Sequence, residues 1–590
     1  MTTVLFRHYQ REKYTYMERK IVFYHKTLYL LFILLLSINC HATDEPEINT
    51  ENKIPHYAPL SMRTDDSSQR VAPQLAKGSH LQVYLPSLPY LYVSHAINSA
   101  LFRPANNDKG WELDLATAYH QLSDTVYEFT LRQGVVFQDG TPFNADAVLL
   151  NMQYFKQKPF TYSKIHKVFD YAEKIDDYTV RFHLTEKYGV FLNDVIWIQF
   201  YTRTYLEKFG WNGKPTCPNL AEAGAYGLGP YVLTKGYIEG DRKTPVAELV
   251  ANPLYWDKRY PKIEKVTIYT ELNSQAAKDN VLYKENALDI TPIDFAQKVE
   301  TILSPYGKLV ISPATDNYAI HINMRTGNAK LRETAVRLAL NQALHQYNLL
   351  YFTYEGEGEL SPVGISPSFP GVREAMQTIK PFSSLQDPYD PEKQEQLKKV
   401  LNGLTLKVLT QERFMFLWRG IEYQLKKVGV TLEFTTTKTE TTIFEQLLTT
   451  HDEKNTQAWD LLIWGNDDWF FYHPWTAFFT LRTNDIWSTV YDDPTMNALI
   501  EDMFKQTVGE AGYNENVLKI MQRAYDNAYM LFVPTPNKVF AVNKEVIFTP
   551  YKMASLPLWE IQLTTLHPSI RQGEYPEELK KPVEIVRKNF

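Results

Sequence analysis

"YEFTLRQGVVFQDGTPFNADAVL", residues 127–149, contains the pattern that decides the fold class. Tyr127, Phe129 and Leu131 alternate with polar residues, which predicts a strand with one buried face. Two glycines follow, one of them directly after an aspartate, and such dipeptides are common in tight turns. Asn144 then precedes a segment with helical spacing of apolar residues, as a helix N-cap does. The stretch therefore predicts a strand, a turn and a helix in succession.

The alternation of strands and helices continues along the chain. "YTVRFHL" (178–184) alternates as a strand does, and "LQVYLPSLPYLYV" (81–93) predicts a first strand followed by a loop. Apolar residues at helical spacing appear in "LRETAVRLALNQALHQYNLLY" (331–351) and in "FLWRGIEYQLKKVGV" (416–430), which precedes a further strand. Strands interleaved with helices predict an α/β protein with mixed sheets.

Length and composition narrow the class of protein. The chain has 590 residues, which is long enough for two or three domains. Its formal net charge of -6 gives no reason to expect a surface that binds nucleic acid. Aromatic residues make up 14% of the chain, which suits either a well-filled core or a large, adaptable binding cleft.

The first 42 residues have the organisation of a secretory signal peptide. Basic residues precede an apolar run at 28–36 that is too short to span a bilayer, and the small residue Ala42 follows it. We expect cleavage after Ala42 and a mature protein that works in the periplasm, with Met17 as an alternative start to Met1. A lipoprotein that is acylated on Cys40 and tethered to the membrane is the alternative localisation.

The sequence contains no motif of a metal site or a catalytic centre. Cys40 and Cys217 form neither a CxxC pair nor a metal-ligand set, and neither HExxH nor a Walker sequence occurs. "GISPS" (364–368) lacks the second glycine of a nucleophile elbow. The glutamates of "YEGEGEL" (354–360) are interpreted as a solvated turn. A binding protein without a cofactor is therefore favoured over an enzyme, with a periplasmic hydrolase as an alternative.

A series of motifs follows the opening stretch in a fixed order. They are "YGLGPYVLTKG" (226–236), "ANPLYWDKRYPKIEKVTI" (251–268), "LYKENALDI" (282–290), "AVRLALNQALHQYNLL" (335–350) and "YDPEKQEQLKKVL" (389–401). In order and spacing they resemble the family 5 extracellular solute-binding proteins, the peptide and nickel receptors of ABC importers. The resemblance extends over most of the chain after the predicted signal peptide.

The resemblance implies a two-lobed fold of the type II periplasmic-binding-protein kind, with mixed sheets, a discontinuous first lobe and an additional inserted domain. After the signal peptide (1–42) and a flexible lead-in (43–77), lobe I would comprise 78–107, 226–312 and 534–590. The inserted domain would comprise 108–225 and lobe II 313–533. The opening stretch would then be part of the framework of the inserted domain.

The resemblance also implies how the protein works. Such receptors close two lobes around a solute and deliver it to the permease subunits of an ABC importer, because only the closed form contacts the solute from both sides. Peptides are the expected solutes, since an extended peptide can pair with strand edges while its side chains occupy wet pockets. A nickel chelate or another small solute on the same scaffold is the alternative. We expect a monomer.

Two further segments resemble parts of the family's ligand groove. "TDNYAIHIN" (315–323) resembles the segment that crosses between the lobes, which implies that Asp316, Asn317 and Tyr318 contact the solute; a plain surface turn before a core strand is an equal alternative. Arg413 lies between a predicted strand and helix, in a region from which related dipeptide receptors supply an arginine to the peptide carboxylate. Arg419 is the alternative for this role.

"LLIWGNDDWFFYHPW" (461–475) resembles the family's Trp-x-x-Asp segment. In peptide receptors its aspartate holds the ligand's α-ammonium, and that position is Asp467 here. A buried ammonium needs a compensating anion, which Asp468 could also supply. Trp464, Asn466 and Trp469 would line the same site. After the aspartate the sequence departs from the family pattern, and an acidic loop that caps a helix is the alternative interpretation.

Overall fold

The computed structural model describes residues 62–86, 90–157, 164–210, 221–239, 242–313, 317–382, 390–437, 440–448, 459–466, 478–483, 488–551 and 556–587. The part of the chain from residue 61 onward forms one compact unit.

The described residues contain helices of 4 to 17 residues. In chain order they are α1 Tyr90–Ile97, α2 Ala145–Gln157, α3 Ile165–Val168, α4 Phe191–Asp194, α5 Arg203–Phe209, α6 Ser274–Tyr283, α7 Lys298–Leu303, α8 Thr334–Gln342, α9 Gln346–Tyr354, α10 Val372–Ala375, α11 Pro391–Leu401, α12 Met415–Lys426, α13 Glu440–Leu448, α14 Pro494–Phe504 and α15 Ala511–Asn527.

The strands are shorter and more numerous. In chain order they are β1 His80–Tyr84, β2 Phe102–Pro104, β3 Trp111–Leu113, β4 Ala116–Ser123, β5 Val126–Leu131, β6 Phe169–Asp176, β7 Thr179–Leu184, β8 Ala221–Gly224, β9 Tyr231–Glu239, β10 Arg242–Lys243, β11 Val246–Ala251, β12 Lys265–Tyr269, β13 Ile290–Pro292, β14 Gly307–Ser312, β15 Asn317–Ile322, β16 Gly358–Glu359, β17 Thr405–Gln411, β18 Thr431–Thr437, β19 Leu461–Asn466, β20 Met530–Leu531, β21 Thr535–Pro536, β22 Lys538–Asn543, β23 Val546–Ile547, β24 Gln562–Leu563 and β25 Val586–Arg587.

Three sheets organise the molecule. Sheet A has ten strands in the order β10-β9-β11-β12-β1-β13-β22-β14-β25, with β8 paired to β9. Sheet B has five strands in the order β18-β17-β19-β15-β20, and sheet C has four in the order β4-β5-β7-β6. Sheets A and B both mix parallel and antiparallel pairs, whereas sheet C is antiparallel throughout. The predicted α/β class with mixed sheets is confirmed.

The opening stretch forms β5 of sheet C, a turn and α2, as predicted. The residues of β5 are alternately buried and half-buried, and Phe129 packs edge-on against Phe182 of β7 with ring centroids 5.3 Å apart. The side-chain oxygen of Asn144 accepts a hydrogen bond from the backbone N–H of Ala147 at 3.1 Å. Asn144 is therefore the predicted cap of this helix, because it satisfies one of the N–H groups that the first turn leaves without a partner.

Sheet B is built on a strand–helix–strand unit that the sequence also predicts. The parallel strands β17 and β18 are joined by α12, whose buried face includes Trp418, Ile421 and Leu425. Gly429 ends the connection at a φ of +85°, a conformation that favours glycine. The chain thereby returns to the same edge of the sheet to begin the next parallel strand.

Three local predictions are wrong. Residues 81–93 do not end in a loop, since α1 begins at Tyr90 after a proline-containing segment. The predicted helix at 331–351 is two helices, because the side chain of His345 accepts from the N–H of Asn348 and caps a new helix, α9. The alternation of Tyr318, Ile320 and Ile322 predicts one buried face for β15, but both faces are buried, since Ala319 and His321 are buried too.

The described residues of the predicted lead-in lie against the C-terminal part of the chain. Arg63 forms a β-bridge with Val583, and Val71 forms one with Thr564. Over the stretches that the structure describes, every helix is too short or too polar to cross a membrane.

Candidate functional site

The chain passes between sheet A and sheet B at two places among the described strands. β14 of sheet A is followed by β15 of sheet B, and β20 of sheet B is followed by β21 and then by β22 of sheet A. β21 pairs with β16, which directly follows the α9 segment. We call the place where the chain passes from Ser312 of β14 to Asn317 of β15, and from Leu531 of β20 to Lys538 of β22, the junction.

One edge of sheet B collects the ends of several strands. β17 is parallel to both β18 and β19, and the carboxyl ends of these strands are Gln411, Thr437 and Asn466. β15 is antiparallel to β19, with Asn317 opposite Asn466, so the chain enters sheet B at this same edge. In open sheets with parallel strands, ligands bind outside the carboxyl ends of the strands. This edge, which we call the site edge, is therefore the candidate binding site.

Aromatic rings join the site edge to the junction. The ring of Tyr318 on β15 lies 5.1 Å from that of Phe414 and 6.4 Å from that of Tyr354, measured between centroids. Tyr354 in turn lies 5.1 Å from Phe295, which precedes α7 and β14. We call the strands of a sheet, together with the helices and loops that connect them, the region of that sheet, so Phe295 belongs to the sheet-A region. Edge-to-face and tilted contacts at these distances are favourable beyond the area they bury. Tyr318 is thus packed at the place where the sheet-A and sheet-B regions meet.

The two candidate arginines for the peptide carboxylate, Arg413 and Arg419, lie in different places. Arg413 follows β17 directly, in a 3₁₀ turn at the site edge, where its Nε donates to the side-chain oxygen of Gln411 at 2.9 Å and its guanidinium lies 4.5 Å from the ring of Phe414. Arg419 lies one turn into α12, is exposed, and forms an ion pair with Glu422 at 2.8 Å. Of the two, Arg413 has the position from which a guanidinium can reach a ligand at the site edge.

Trp464 and Tyr318 point to opposite faces of sheet B. Across the β15–β19 ladder, Trp464 pairs with Ala319 and Tyr318 pairs with Gly465. Because successive residues of a strand alternate between faces, Tyr318 and Ala319 point to opposite faces, and Trp464 shares the face of Ala319. Trp464 is buried and shares its face with His321, whose ring centroid lies 6.4 Å away. Burial lowers the pKa of His321 to about 3, so this histidine is neutral and offers no charge to a ligand.

The remaining predicted site residues fall into two groups. Asn317 and Asn466 are described as paired backbone positions at the site edge. The other positions lie outside the described residues: Asp316, Asp467, Asp468 and Trp469.

Glu357 corrects the interpretation of residues 354–360 as a solvated turn. Its carboxylate is buried and accepts two hydrogen bonds from Arg587 at 2.8 and 2.9 Å and one from Lys298 at 3.2 Å. Burial alone would raise the pKa of Glu357, but the hydrogen bonds from Arg587 and the charge of Lys298 outweigh it and lower the pKa to about 2. Both partners belong to the sheet-A region, so this ion cluster joins that region to the sheet-B region beside the junction.

A serine, a histidine and an aspartate are hydrogen bonded in series elsewhere, in the sheet-A region. The Oγ of Ser569 lies 2.8 Å from Nδ1 of His567, whose Nε2 lies 2.8 Å from Oδ1 of Asp289. The same carboxylate accepts from the backbone N–H of Gln82 and from the side chain of Asn543. His567 and Asp289 are fully buried. The series connects β1, β13 and β22 with the C-terminal segment, so its hydrogen bonds belong to the fold. Within the described ranges, no three His, Cys, Asp or Glu side chains are grouped closely enough to hold a metal ion.

Comparison with known proteins decides the family. The model of the bacterial extracellular solute-binding proteins, family 5 (middle region), matches residues 110–488. The chain belongs to this family. The resemblance seen in the sequence motifs is thereby confirmed.

Relatives of the chain include glutathione-binding proteins named GsiB. The protein from Escherichia coli strain K12 is 26% identical over 337 residues, which cover 54% of this chain and 60% of that relative. The protein from Salmonella typhi is 29% identical over 298 residues, covering 48% and 52%. The chain thus matches about half to three fifths of the length of these relatives.

Solved structures of similar proteins share the fold. NikA from Brucella suis in complex with Fe(III)-EDTA superposes with a TM-score of 0.67 at 16% identity, over 82% of this chain and 100% of that one. DppA from Helicobacter pylori in complex with the peptide STSA gives 0.67 at 17% identity, over 84% and 99%. The murein tripeptide binding protein MppA from Escherichia coli gives 0.67 at 16% identity, over 83% and 99%. The family 5 chain therefore has the two-lobed, type II periplasmic-binding-protein-like fold.

Proposed function

We propose that this protein is the solute-capturing component of an ABC importer, that its solutes are peptides, and that it closes two lobes around them. Membership of family 5 supports the capture of a solute, and one structural observation supports the position of the binding site. The carboxyl ends of three sheet-B strands, and the crossing from sheet A, share one edge. A ligand at that edge would contact both regions in the closed form only, which is the condition for a ligand to drive closure.

The sheets support a division of the chain into domains. We propose that sheet A corresponds to lobe I (78–107, 226–312 and 534–590), sheet C to the inserted domain (108–225) and sheet B to lobe II (313–533). The chain crosses between the proposed lobes at the junction, which would therefore contain the hinge.

Peptides are the solutes that the relatives favour. The names of the GsiB relatives refer to glutathione, which is a tripeptide, and the named ligands of DppA and MppA are peptides too. We propose that Arg413 receives the carboxylate of the peptide and Asp467 its α-ammonium, with Asp468, Asn466, Trp469, Asp316, Asn317 and Tyr318 around them. Trp464, predicted from the sequence to line the site, is buried on the face of sheet B opposite Tyr318 and would support β19 from behind. A charge-assisted hydrogen bond contributes about 1.5–3 kcal/mol, which is enough to fix the direction in which a peptide lies.

A chelated metal is the second candidate solute, because one solved structure with a similar fold carries Fe(III)-EDTA and another carries nickel bound by histidine. Such a complex needs few protein ligands, so a lack of clustered His or acidic side chains would not prevent its binding. The protein itself would perform no reaction. We further propose that it is exported by the signal peptide that the first 42 residues resemble and that it acts as a monomer with its permease subunits.

Isothermal titration calorimetry on the purified wild-type protein tests this proposal. Glutathione, trialanine and N-acetylated trialanine are titrated into the wild type and into Asp467→Asn, with Asp526→Asn, which alters an exposed carboxylate on α15, as the control. We expect at least tenfold weaker peptide binding for Asp467→Asn and for the acetylated peptide, and unchanged binding for the control. Equal binding of free and acetylated peptides would remove Asp467 from the site. Binding of Ni(II)–histidine in place of any peptide would establish the metal-chelate alternative.

A further inference from the structure

The sheet-C region touches the sheet-B region at a second place, away from the junction. Lys164, Tyr188 and Gly189 of the sheet-C region meet Glu501 and Phe504 of the sheet-B region, and we call this place the rim contact. The N–H of Gly189 donates to the carbonyl oxygen of Phe504 at 2.6 Å. The ammonium of Lys164 forms an ion pair with Glu501 and lies 5.4 Å from the centre of the Phe504 ring. The rings of Tyr188 and Phe504 are 5.9 Å apart.

Gly189 shows how closely the two surfaces approach. A Cβ atom at this position would overlap the backbone carbonyl of Gln506 on the opposite surface. The φ angle of Gly189 is not in the left-handed region, so its own backbone does not require glycine. A side chain is therefore excluded by the contact across the two regions, and not by the local turn.

Polar groups are buried on both sides of the rim contact. The hydroxyl of Tyr188 donates to Asp194 at 2.5 Å, and Asp194 is only 1% exposed. Tyr513, at the start of α15, is fully buried. Burial, and then the charge of Asp194, raise the pKa of the Tyr513 phenol well above its ordinary value. The tyrosines of the contact are thus buried, whereas the Lys164–Glu501 ion pair is partly exposed.

The position of the rim contact makes it sensitive to lobe movement. Tyr513 lies near the start of α15, and the end of that helix at Asn527 leads into β20 and the junction. With a rise of about 1.5 Å per residue, Tyr513 lies roughly 20 Å along the helix axis from Asn527, the end that leads to the junction. A rotation about the junction displaces atoms in proportion to their distance from it. A rotation of a few degrees would therefore break a hydrogen bond at the rim contact while the junction hardly moves.

We propose that the rim contact is a closure latch, through which the sheet-C region holds the sheet-B region in the closed arrangement before any solute is contacted. This proposal rests on the proposed function, since it assigns to the same lobes an open and a closed form. The apparent affinity for a solute is the intrinsic affinity of the closed form multiplied by the fraction of the protein that is closed. The latch would therefore affect the apparent affinity for every solute, although its residues contact none. The inserted domain then has a part in closure as well as in the framework.

Hydrogen exchange in the solute-free protein tests the latch. The amides of residues 187–191 are followed by mass spectrometry in the wild type, in Gly189→Ala, which places a methyl group in the contact, and in Lys164→Met. The second variant removes the ion pair with Glu501 and also a longer one, at 3.4 Å, with Glu186 of the same region. Lys187→Met is the matched control, because Lys187 is in the same segment but pairs with Asp124 of its own region. The radius of gyration is measured by X-ray scattering on the same samples.

We expect the segment to exchange at least fivefold faster in Gly189→Ala and Lys164→Met than in the wild type and the control, with a larger radius of gyration. Lys164→Met keeps the test valid if the added methyl group prevents folding of the other variant. Exchange in the wild type as fast as in an unprotected peptide, or equal exchange in all four proteins, would overturn the latch. Because no solute is added, this outcome does not depend on peptide binding, and failure of every peptide to bind would overturn the proposed function alone.

Discussion

Replacing Glu357 by glutamine tests the ion cluster beside the junction. The cluster lowers the pKa of Glu357 from 4.5 to about 2, and one pKa unit corresponds to about 1.4 kcal/mol, so the charged form would stabilise the fold by at most about 3 kcal/mol. Arg587 is 49% exposed, however, and water competes for its guanidinium. We therefore expect Glu357→Gln to reduce the free energy of unfolding at pH 7 by about 1–2 kcal/mol.

The pH dependence gives the sharper result. A carboxyl group whose pKa is lowered in the folded state contributes its full stability above its unfolded pKa of 4.5 and loses it as the pH falls towards 2. The difference between wild type and Glu357→Gln, measured by urea unfolding followed by tryptophan fluorescence, should fall at pH 3 to less than half of its value at pH 7. Glu355→Gln is the control, since Glu355 is 47% exposed and contacts Lys298 alone among the described partners, at 3.3 Å. Equal losses in the two variants, or a difference that does not change with pH, would refute the reasoning.

Three further substitutions have expected outcomes. Lys544→Met should lower the free energy of unfolding by about 3 kcal/mol or more, because its Nζ lies 2.9 Å from four backbone carbonyl oxygens, which share the three N–H donors of the ammonium and would lose them; an unchanged melting temperature would contradict this. Asp493→Asn should cost about 2 kcal/mol in thermal unfolding, because this carboxylate caps α14 and accepts from Arg523 and Tyr529, whereas the same change at the exposed Asp502 should cost less than about 0.5 kcal/mol. Arg413→Lys should reduce the preference for free-acid over amidated peptides in calorimetry, because lysine cannot reproduce a bidentate contact, and an unchanged preference would remove Arg413 from the carboxylate site.

Helices, strands and caps can be predicted from the sequence where a few neighbouring residues determine them. The alternation in β5, the cap at Asn144 and the glycine that ends the α12 connection are all properties of a few neighbouring residues. α1 was missed because the prolines before it indicate a loop, and the break between α8 and α9 was missed because histidine is an uncommon cap. Such failures arise where tertiary contacts or unusual caps outweigh local preference.

The candidate site was predictable only in part. The sequence motifs name Arg413 and Tyr318 separately, whereas the order of strands in the structure puts both at one edge of sheet B, and the register of the β15–β19 ladder shows that Tyr318 and Trp464 point to opposite faces. Glu357 could not be found from its surroundings, because its partners Lys298 and Arg587 are 59 and 230 residues away along the chain. No local pattern records an ion pair between such distant segments.

The order of strands in sheet A has a consequence for biosynthesis. β22 lies between β13 and β14 and is the strand that pairs with both, yet it is made more than two hundred residues after them. The sheet is consequently in two unconnected pieces until residues 538–543 leave the ribosome, while all five strands of sheet B are complete by residue 531. Because pairing between distant segments is slow, a nascent chain would have only part of its largest sheet until the end of its synthesis. This delay would suit the export proposed above, because the chain would still be incompletely folded while it is being delivered to the membrane.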